Sequence, residues 1–166
     1  DALVTRDDFE VETDQPQPSG IKVQSLKLSE LEAESITYLS LRKPDFQRET
    51  SSWQPEMVVE LVRSLLDDDL IPSVIMWRSP KSGNLFVIDG AHRLSALAAW
   101  VQNDYGGGER SVTFFEGLIP PEQVTAANKC RDLVAAEIGT YAELKAAIVR
   151  PENALPQRVL RARNMA

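Results

Sequence analysis

Phe86-Val87-Ile88-Asp89-Gly90-Ala91-His92-Arg93-Leu94 is the stretch on which the fold turns. Leu85-Phe86-Val87-Ile88 is a short continuous apolar run, the pattern of a buried strand. Gly90 then breaks the run. Beyond it Leu94, Leu97, Ala98 and Val101 recur at helical spacing, which predicts a helix from about Ala91 to Gln102. A strand that passes through a tight turn directly into a helix presents the helix's unpaired N–H groups and the positive end of its dipole. Such a terminus is a natural anion site. Small residues at Gly90 and Ala91 let a phosphate approach the backbone, and His92 and Arg93 add donors beside it, arginine with a forked, bidentate grip. The structural alternative is that Asp89 caps the helix, Gly90 serves the turn and Arg93 is solvated.

Upstream, Ser73 to Arg78 is a second strand candidate, joined to Leu85–Ile88 by the turn residues Pro80-Lys81-Ser82-Gly83-Asn84, so the two strands are expected to form a hairpin. Before them, Met57, Val58, Leu61, Val62, Leu65 and Leu66 mark one apolar face of a helix over Pro55 to Asp67. Pro55 suits the first helical position, with Gln54 as cap and Trp53 stapled onto Val58. Asp67-Asp68-Asp69 lies at the wrong end of the dipole, so fraying is expected there. Arg42 to Trp53 is polar, and Pro44 breaks any helix in it. Ile21 to Leu28 alternates in part and suggests a strand; Ser29 and Glu32 suggest a capping box.

Downstream, Gly106-Gly107-Gly108 marks a loop and Val112 to Phe115 a short strand. Pro121 to Glu137 reads as a helix closed by Gly139. Thr140 with Glu143 is the capping box of a last helix, to about Arg150, which Pro151 stops. The expected fold class is α/β (α+β), a small mixed β-sheet flanked by helices. The expected organisation is a flexible N-terminal segment over 1–20, one domain over 21–150 and a C-terminal tail over 151–166.

Composition narrows the function. The chain of 166 residues is 43% hydrophobic and 26% charged, which suits one globular domain. A net charge of −7 argues against coating nucleic acid through a bulk field, while leaving room for a local basic patch. One cysteine, Cys130, and one histidine make a structural zinc site untenable and exclude an internal disulfide. No apolar run approaches the ~18 residues of a membrane span, and the acidic N-terminus lacks the basic-then-apolar order of a signal peptide. A cytoplasmic location is expected. The chain begins with Asp1, not Met, as a piece of a longer protein would.

Val87-Ile88-Asp89-Gly90-Ala91-His92-Arg93-Leu94 resembles the DGQHR or DGQQR signature of prokaryotic ParB-like domains. Those domains carry an upstream segment of proline, an aromatic residue, Gln-Arg and a later tryptophan, and Pro44-Asp45-Phe46-Gln47-Arg48 with Trp53 is similar to it. The likeness spans about residues 40–102, and the pairing of two motifs in order is more specific than either alone. It implies a ParB/sulfiredoxin-like fold that binds nucleoside triphosphate (NTP), with phosphates on Gln47, Arg48, Gly90, Ala91, His92 and Arg93. It also implies Mg²⁺-dependent hydrolysis, for which Asp89 and Arg48 are the catalytic candidates, in a DNA-related system such as DNA modification or phage defence. Ala91 stands where the family has glutamine and where sulfiredoxin has its cysteine, so thiol chemistry is lost and hydrolysis is in question while binding survives.

The other candidates have plain structural readings. Trp53 and Trp77 suit base stacking or a core. Asp67-Asp68-Asp69 suits a cation or a solvated helix end. Glu56 and Glu60, one helical turn apart, suit a general base, a Mg²⁺ site or an exposed face. Arg158, Arg161 and Arg163 suit a phosphate backbone or solvent. Three functions follow in order: a nucleotide-binding domain with NTPase activity; a non-enzymatic regulator that binds DNA or a partner protein; and a ParB-like nuclease, weakened by the lack of a clustered Asp/Glu/Lys signature. The expected partners are a nucleotide, and DNA or a protein of a DNA-processing system, with no membrane and no dedicated protein metal site.

Overall fold

The computed structural model describes residues 2–10, 25–47 and 53–165. Four strands form one mixed sheet in the order β1-β2-β4-β3: β1 (Arg6–Asp7), β2 (Leu41–Pro44), β3 (Ile75–Arg78) and β4 (Leu85–Asp89). The expected hairpin is present, β3 and β4 pairing antiparallel with Trp77 opposite Phe86 and Arg78 opposite Leu85. β2 lies parallel to β4, with Leu41 beside Leu85 and Arg42 beside Phe86. Parallel neighbours need a crossover, and the chain between them supplies it with α2 (Pro55–Leu66) and β3. β1 adds a parallel edge, Arg6 beside Lys43. This places part of the N-terminal segment, expected to be a flexible lead-in, in the sheet.

α3 (Ala91–Gln102) leaves the C-terminal end of β4 and belongs to two apolar clusters. Ala91, Leu94 and Ala98 pack with Val87, Leu41, Tyr38, Leu31 and Val4 against the sheet. Ala96 and Trp100 pack with Val58, Val59, Val62 and Leu66 of α2, and with Cys130, Val134 and Leu144 from the C-terminal helices α5 (Pro121–Glu137) and α6 (Tyr141–Val149). A helix walled on two sides needs small residues, which its four alanines, Ala91, Ala96, Ala98 and Ala99, supply, all of them buried. Its one large aromatic residue, Trp100, is 1% exposed and donates its indole N–H to Gly139 O at 3.1 Å.

Several sequence expectations change. Val112 to Phe115 is not a strand: Glu109–Phe114 forms α4, with Val112 and Phe114 exposed and Ser111 fully buried. The β-forming residues lose to tertiary context, because the preceding loop is wound up. Asp104 Oδ1 accepts the N–H groups of Gly106 and Gly108, both at 3.0 Å, and steers the chain into a short helix. The first capping box sits two residues earlier than expected. Leu28–Leu31 is a 3-10 turn, and Glu30 rather than Glu32 accepts the N–H of Lys27, at 2.8 Å. Of the strand expected over Ile21 to Leu28, residues 21–24 lie outside the described residues, and Leu28 opens the 3-10 turn. Ahead of β2 the structure adds α1 (Ile36–Ser40), which the sequence did not suggest.

The tail is a docked helix. α7 (Pro156–Arg163) buries Ala162 completely, Arg161 donates to Glu137 O at 3.1 Å and Ile138 O at 3.2 Å, and Asn164 donates to Leu66 O. That last bond caps the end of α2, where Asp67-Asp68-Asp69 had suggested fraying. Asp68 takes the left-handed conformation, φ 60°, that aspartate tolerates better than most residues.

Ending the chain at Arg150 removes these three carbonyl contacts, each worth about 0.5–1.5 kcal/mol net. Its melting temperature by circular dichroism is expected to fall by roughly 5–15 °C. Acid offers a second check. The expected Thr140 capping box is present: the Thr140 N–H donates to Glu143 Oε2 at 3.0 Å, and the Thr140 hydroxyl accepts the Glu143 N–H at 3.2 Å. The bond from the Thr140 backbone holds the Glu143 carboxyl below its ordinary value of 4.5. A carboxyl lowered by folding stabilises the protein above its unfolded pKa, and that contribution fades as pH falls through the folded value. The stability difference between wild type and Glu143→Gln is therefore expected to be largest at neutral pH and to shrink below about pH 4.5 in pH-dependent denaturant melts.

Candidate functional site

β4 ends at Asp89, and Gly90 makes the turn with φ +87°. The left-handed region is open to glycine and strained for nearly every other residue. Space is also short: a Cβ at Gly90 would stand 3.0 Å from Arg93 Nη2 and from Val74 Cγ2. The first helical rung runs from the Leu94 N–H to Gly90 O at 2.9 Å. The N–H groups of Ala91, His92 and Arg93 therefore precede the helical ladder and have no acceptor within it.

The predicted residues of this segment take the following places around the turn. The Ala91 methyl is buried in the sheet-side cluster, so this position offers packing and a backbone N–H. Asp89 is largely exposed; its Oδ2 accepts from Arg93 Nη2 at 3.0 Å, and the same nitrogen donates to Ser73 O at 3.0 Å. Arg93 thus clamps the turn to the chain entering β3, while its Nε is buried with no partner among the described residues. His92 Nε2 is buried and unpartnered in the same sense. The imidazole stacks on Trp53, centroids 6.1 Å apart and planes at 21°.

Gln47 reaches the site across the sheet. It follows the end of β2, and its Nε2 donates to Val87 O and, at 2.7 Å, to Ile88 O, the last two carbonyls before Asp89. Paired register between β2 and β4 is confined to Leu41/Leu85 and Arg42/Phe86, so the Gln47 amide continues the hydrogen-bonding where the strands part. Its own carbonyl accepts from Arg6 Nη2 at 3.1 Å. Arg48 lies outside the described residues. The structure thus brings together Gln47, Asp89, Gly90, Ala91, His92 and Arg93, which are about 40 residues apart in two groups.

Two partners were not visible in the sequence as site residues. The Ser73 carbonyl carries no side-chain signal. Val74, packed over Gly90, reads simply as a strand residue.

The remaining candidates take structural roles. Trp53 packs against the helical core as well as on His92. Trp77 lies against Phe9 and Phe86. Glu56 pairs with Lys129 at 2.9 Å on the surface. Arg158 faces Glu143 at 3.6 Å. Cys130 is buried, and burial pushes its thiol up to about 11, which keeps it protonated and unreactive at neutral pH. A cavity of about 250 Å³ on the far face of β3 and β4 is lined by Asp7, Asp8 and Glu10 with Trp77 and Phe86. Three carboxylates against the single Lys81 ammonium in its lining disfavour phosphate, so the helix terminus is the better anion site. Among the described residues no group of three or more His, Cys, Asp or Glu side chains converges as a metal site, and no helix is long and apolar enough to cross a membrane.

The family model described as the GmrSD restriction endonuclease, N-terminal domain, matches residues 28–164. The chain belongs to this family. No curated protein and no solved structure gives a match. The GmrSD match takes in both halves of the site, Gln47 and Asp89 to Arg93. It also runs through α5, α6 and α7, where the sequence carried no recognisable motif. The matched range includes α7, whose Ala162 is buried in the helical core.

Gly90→Ala tests the turn. The left-handed strain and the crowding at Val74 and Arg93 together are expected to cost about 1–3 kcal/mol, or a melting temperature lower by roughly 3–10 °C, read by calorimetry.

Proposed function

We propose that this GmrSD-family domain binds a nucleoside triphosphate, with the phosphates on the N-terminus of α3, and that it serves a restriction system acting on DNA. The observation that carries the reading is the pair of buried, unpartnered nitrogens, His92 Nε2 and Arg93 Nε, on adjacent residues at a helix N-terminus. Buried polar atoms nearly always have partners, and an anion seated on the Ala91, His92 and Arg93 N–H groups would supply theirs. The likeness of Asp89-Gly90-Ala91-His92-Arg93 and Pro44-Asp45-Phe46-Gln47-Arg48 to the paired motifs of ParB-like domains supports the same assignment. In this reading Gln47 fixes the strand end, and Arg48 is a further cation for the phosphates.

Mg²⁺ arrives with the nucleotide in this proposal. Such an ion is commonly held by one or two carboxylates together with substrate phosphates, and Asp89, largely exposed at the turn, is the carboxylate available. When bound, the ion neutralises charge on the phosphates. Asp89 would hold such an ion in place of its bond to Arg93 Nη2, which would then be available to phosphate. Ala91 offers no polar side chain to align a water. Binding with slow turnover is therefore the behaviour proposed for the isolated domain, with fuller activity depending on a partner or on further chain.

A non-enzymatic regulator that binds DNA is the second reading, favoured by the Ala91 departure. It is opposed by the net charge of −7, since phosphate-backbone binding draws on Lys and Arg. A nuclease stands third, because the described residues hold no converging metal cluster.

Thermal shift with the four NTPs, with and without Mg²⁺, is expected to raise the melting temperature by mass action. Arg93→Ala is expected to weaken nucleotide binding roughly 10- to 100-fold by calorimetry, the equivalent of one charged hydrogen bond, and Arg93→Lys to recover part of it. Unchanged affinity in Arg93→Ala would remove Arg93 from the site. Brisk Mg²⁺-dependent phosphate release, lost in Asp89→Ala at an unchanged melting temperature, would instead make Asp89 catalytic.

A further inference from the structure

We infer that Lys43 is a phosphate-binding residue, its ammonium set beneath the N-terminus of α3; this rests on the phosphate assignment above and extends it to the floor of the site. Lys43 is 1% exposed, and among the described residues it is the one charged member of the buried polar side chains. Lysine is almost never buried so completely. Its place in the sheet sets the way it points, because successive side chains of a strand face opposite sides. Arg42 faces the far side, where its Nε lies 3.7 Å from Asp7 Oδ2, and Asp7 lines the far-face cavity with Trp77 and Phe86. Leu41 faces the α3 side, in the cluster that holds Val87, Ala91 and Leu94. Lys43 shares that side with Leu41.

Lys43 also lies at the end of β2 that the site occupies. Leu41 and Arg42 pair with Leu85 and Phe86, and the next residues of the two strands are Lys43 and Val87. Val87 stands two residues before Asp89 and packs in one cluster with Ala91, the first residue of α3. The Lys43 stem therefore leaves the sheet at the level where α3 begins, and its four flexible carbons carry the ammonium toward the first turn. Arg6, its partner in register on β1, faces the same side: Val4, two residues earlier, is buried in the α3-side cluster, and Arg6 Nη2 donates to Gln47 O at 3.1 Å. The carboxyl ends of three parallel strands, β1, β2 and β4, thus come together at this terminus. Ligands of open α/β sheets bind in the crevice outside such ends. The ammonium is held out of water, as are His92 Nε2 and Arg93 Nε. There its attraction for phosphate is less screened than at a surface. A compact ammonium with three rotatable donors can serve oxygens of neighbouring phosphates, while the planar Arg93 fork grips one.

The test measures the Mg²⁺ complexes of tripolyphosphate and ATP by calorimetry on wild type, Lys43→Met and Lys43→Arg. Methionine keeps an unbranched stem and removes the charge; Lys43→Gln takes its place if Lys43→Met fails to fold. The uncharged variant is expected to weaken tripolyphosphate and ATP by the same factor, roughly 10- to 100-fold, the equivalent of one charged hydrogen bond. Lys43→Arg is expected to recover part of that loss for both ligands. Unchanged affinity in the uncharged variant, with tripolyphosphate bound by wild type, overturns the role of Lys43 alone. Equal loss in the uncharged variant and in Lys43→Arg also overturns it, by making Lys43 structural. Weakening of ATP without weakening of tripolyphosphate overturns it too, because the contact would then be to the nucleoside. No binding of tripolyphosphate or ATP to wild type overturns the phosphate assignment itself.

Discussion

The position of α3 is the constraint on which the rest of this structure depends. Its N-terminus is fixed to the sheet by the Gly90 turn, and its length is buried between the sheet and the helical layer. A helix in that position cannot shift without opening both apolar clusters, because interiors are close-packed and deform little. Small residues let the two layers approach it, and Trp100 locks its far end to Gly139 O. The same burial that stabilises the domain therefore also points the free N–H groups of Ala91, His92 and Arg93 in a fixed direction. Preorganised donors of this kind cost little reorganisation when an anion arrives.

The turn is held by contacts that are themselves polar. Arg93 spans Asp89 and Ser73 O, and Gln47 spans the ends of β2 and β4. Neither is a large source of stability: a carboxylate as exposed as Asp89 gains little from an ion pair. Their effect is geometric. Gln47 extends the β2–β4 pairing past the point where the backbones part, and Arg93 joins the β4 end to the approach of β3. A ligand that competes for the Arg93 guanidinium would loosen the second contact and leave the first intact.

Much of this was legible in the sequence where local pattern and tertiary context agree. The Leu85–Asp89 strand, the Gly90 break, the α2 stripe and the Thr140–Glu143 box each carry their own signal, and each appears with nearly the expected bounds. The failures share one cause. Val112 to Phe115 is rich in β-forming residues, but Asp104 and three glycines bend the chain before it, so it coils. Residues 156–163 look like a basic tail; one small residue, Ala162, and two donors, Arg161 and Asn164, dock them instead. Alanine and asparagine give no pattern from which docking could be read. For the same reason Gln47 was legible as part of a motif, while its bond to two strand carbonyls was not.

The departure at Ala91 takes on a physical meaning once its methyl is placed. It faces Leu41, Leu94 and Val87 in the sheet-side cluster, so a longer polar side chain there would have to leave the cluster or bury an amide among apolar neighbours, at a cost of a few kcal/mol if left unpaired. Alanine at this position closes the packing beneath the turn and gives up a polar group above it. The site that results has backbone donors, a guanidinium, an imidazole and a single carboxylate. Such a set suits holding a charged ligand better than transforming it, since phosphoryl transfer also needs an aligned nucleophile.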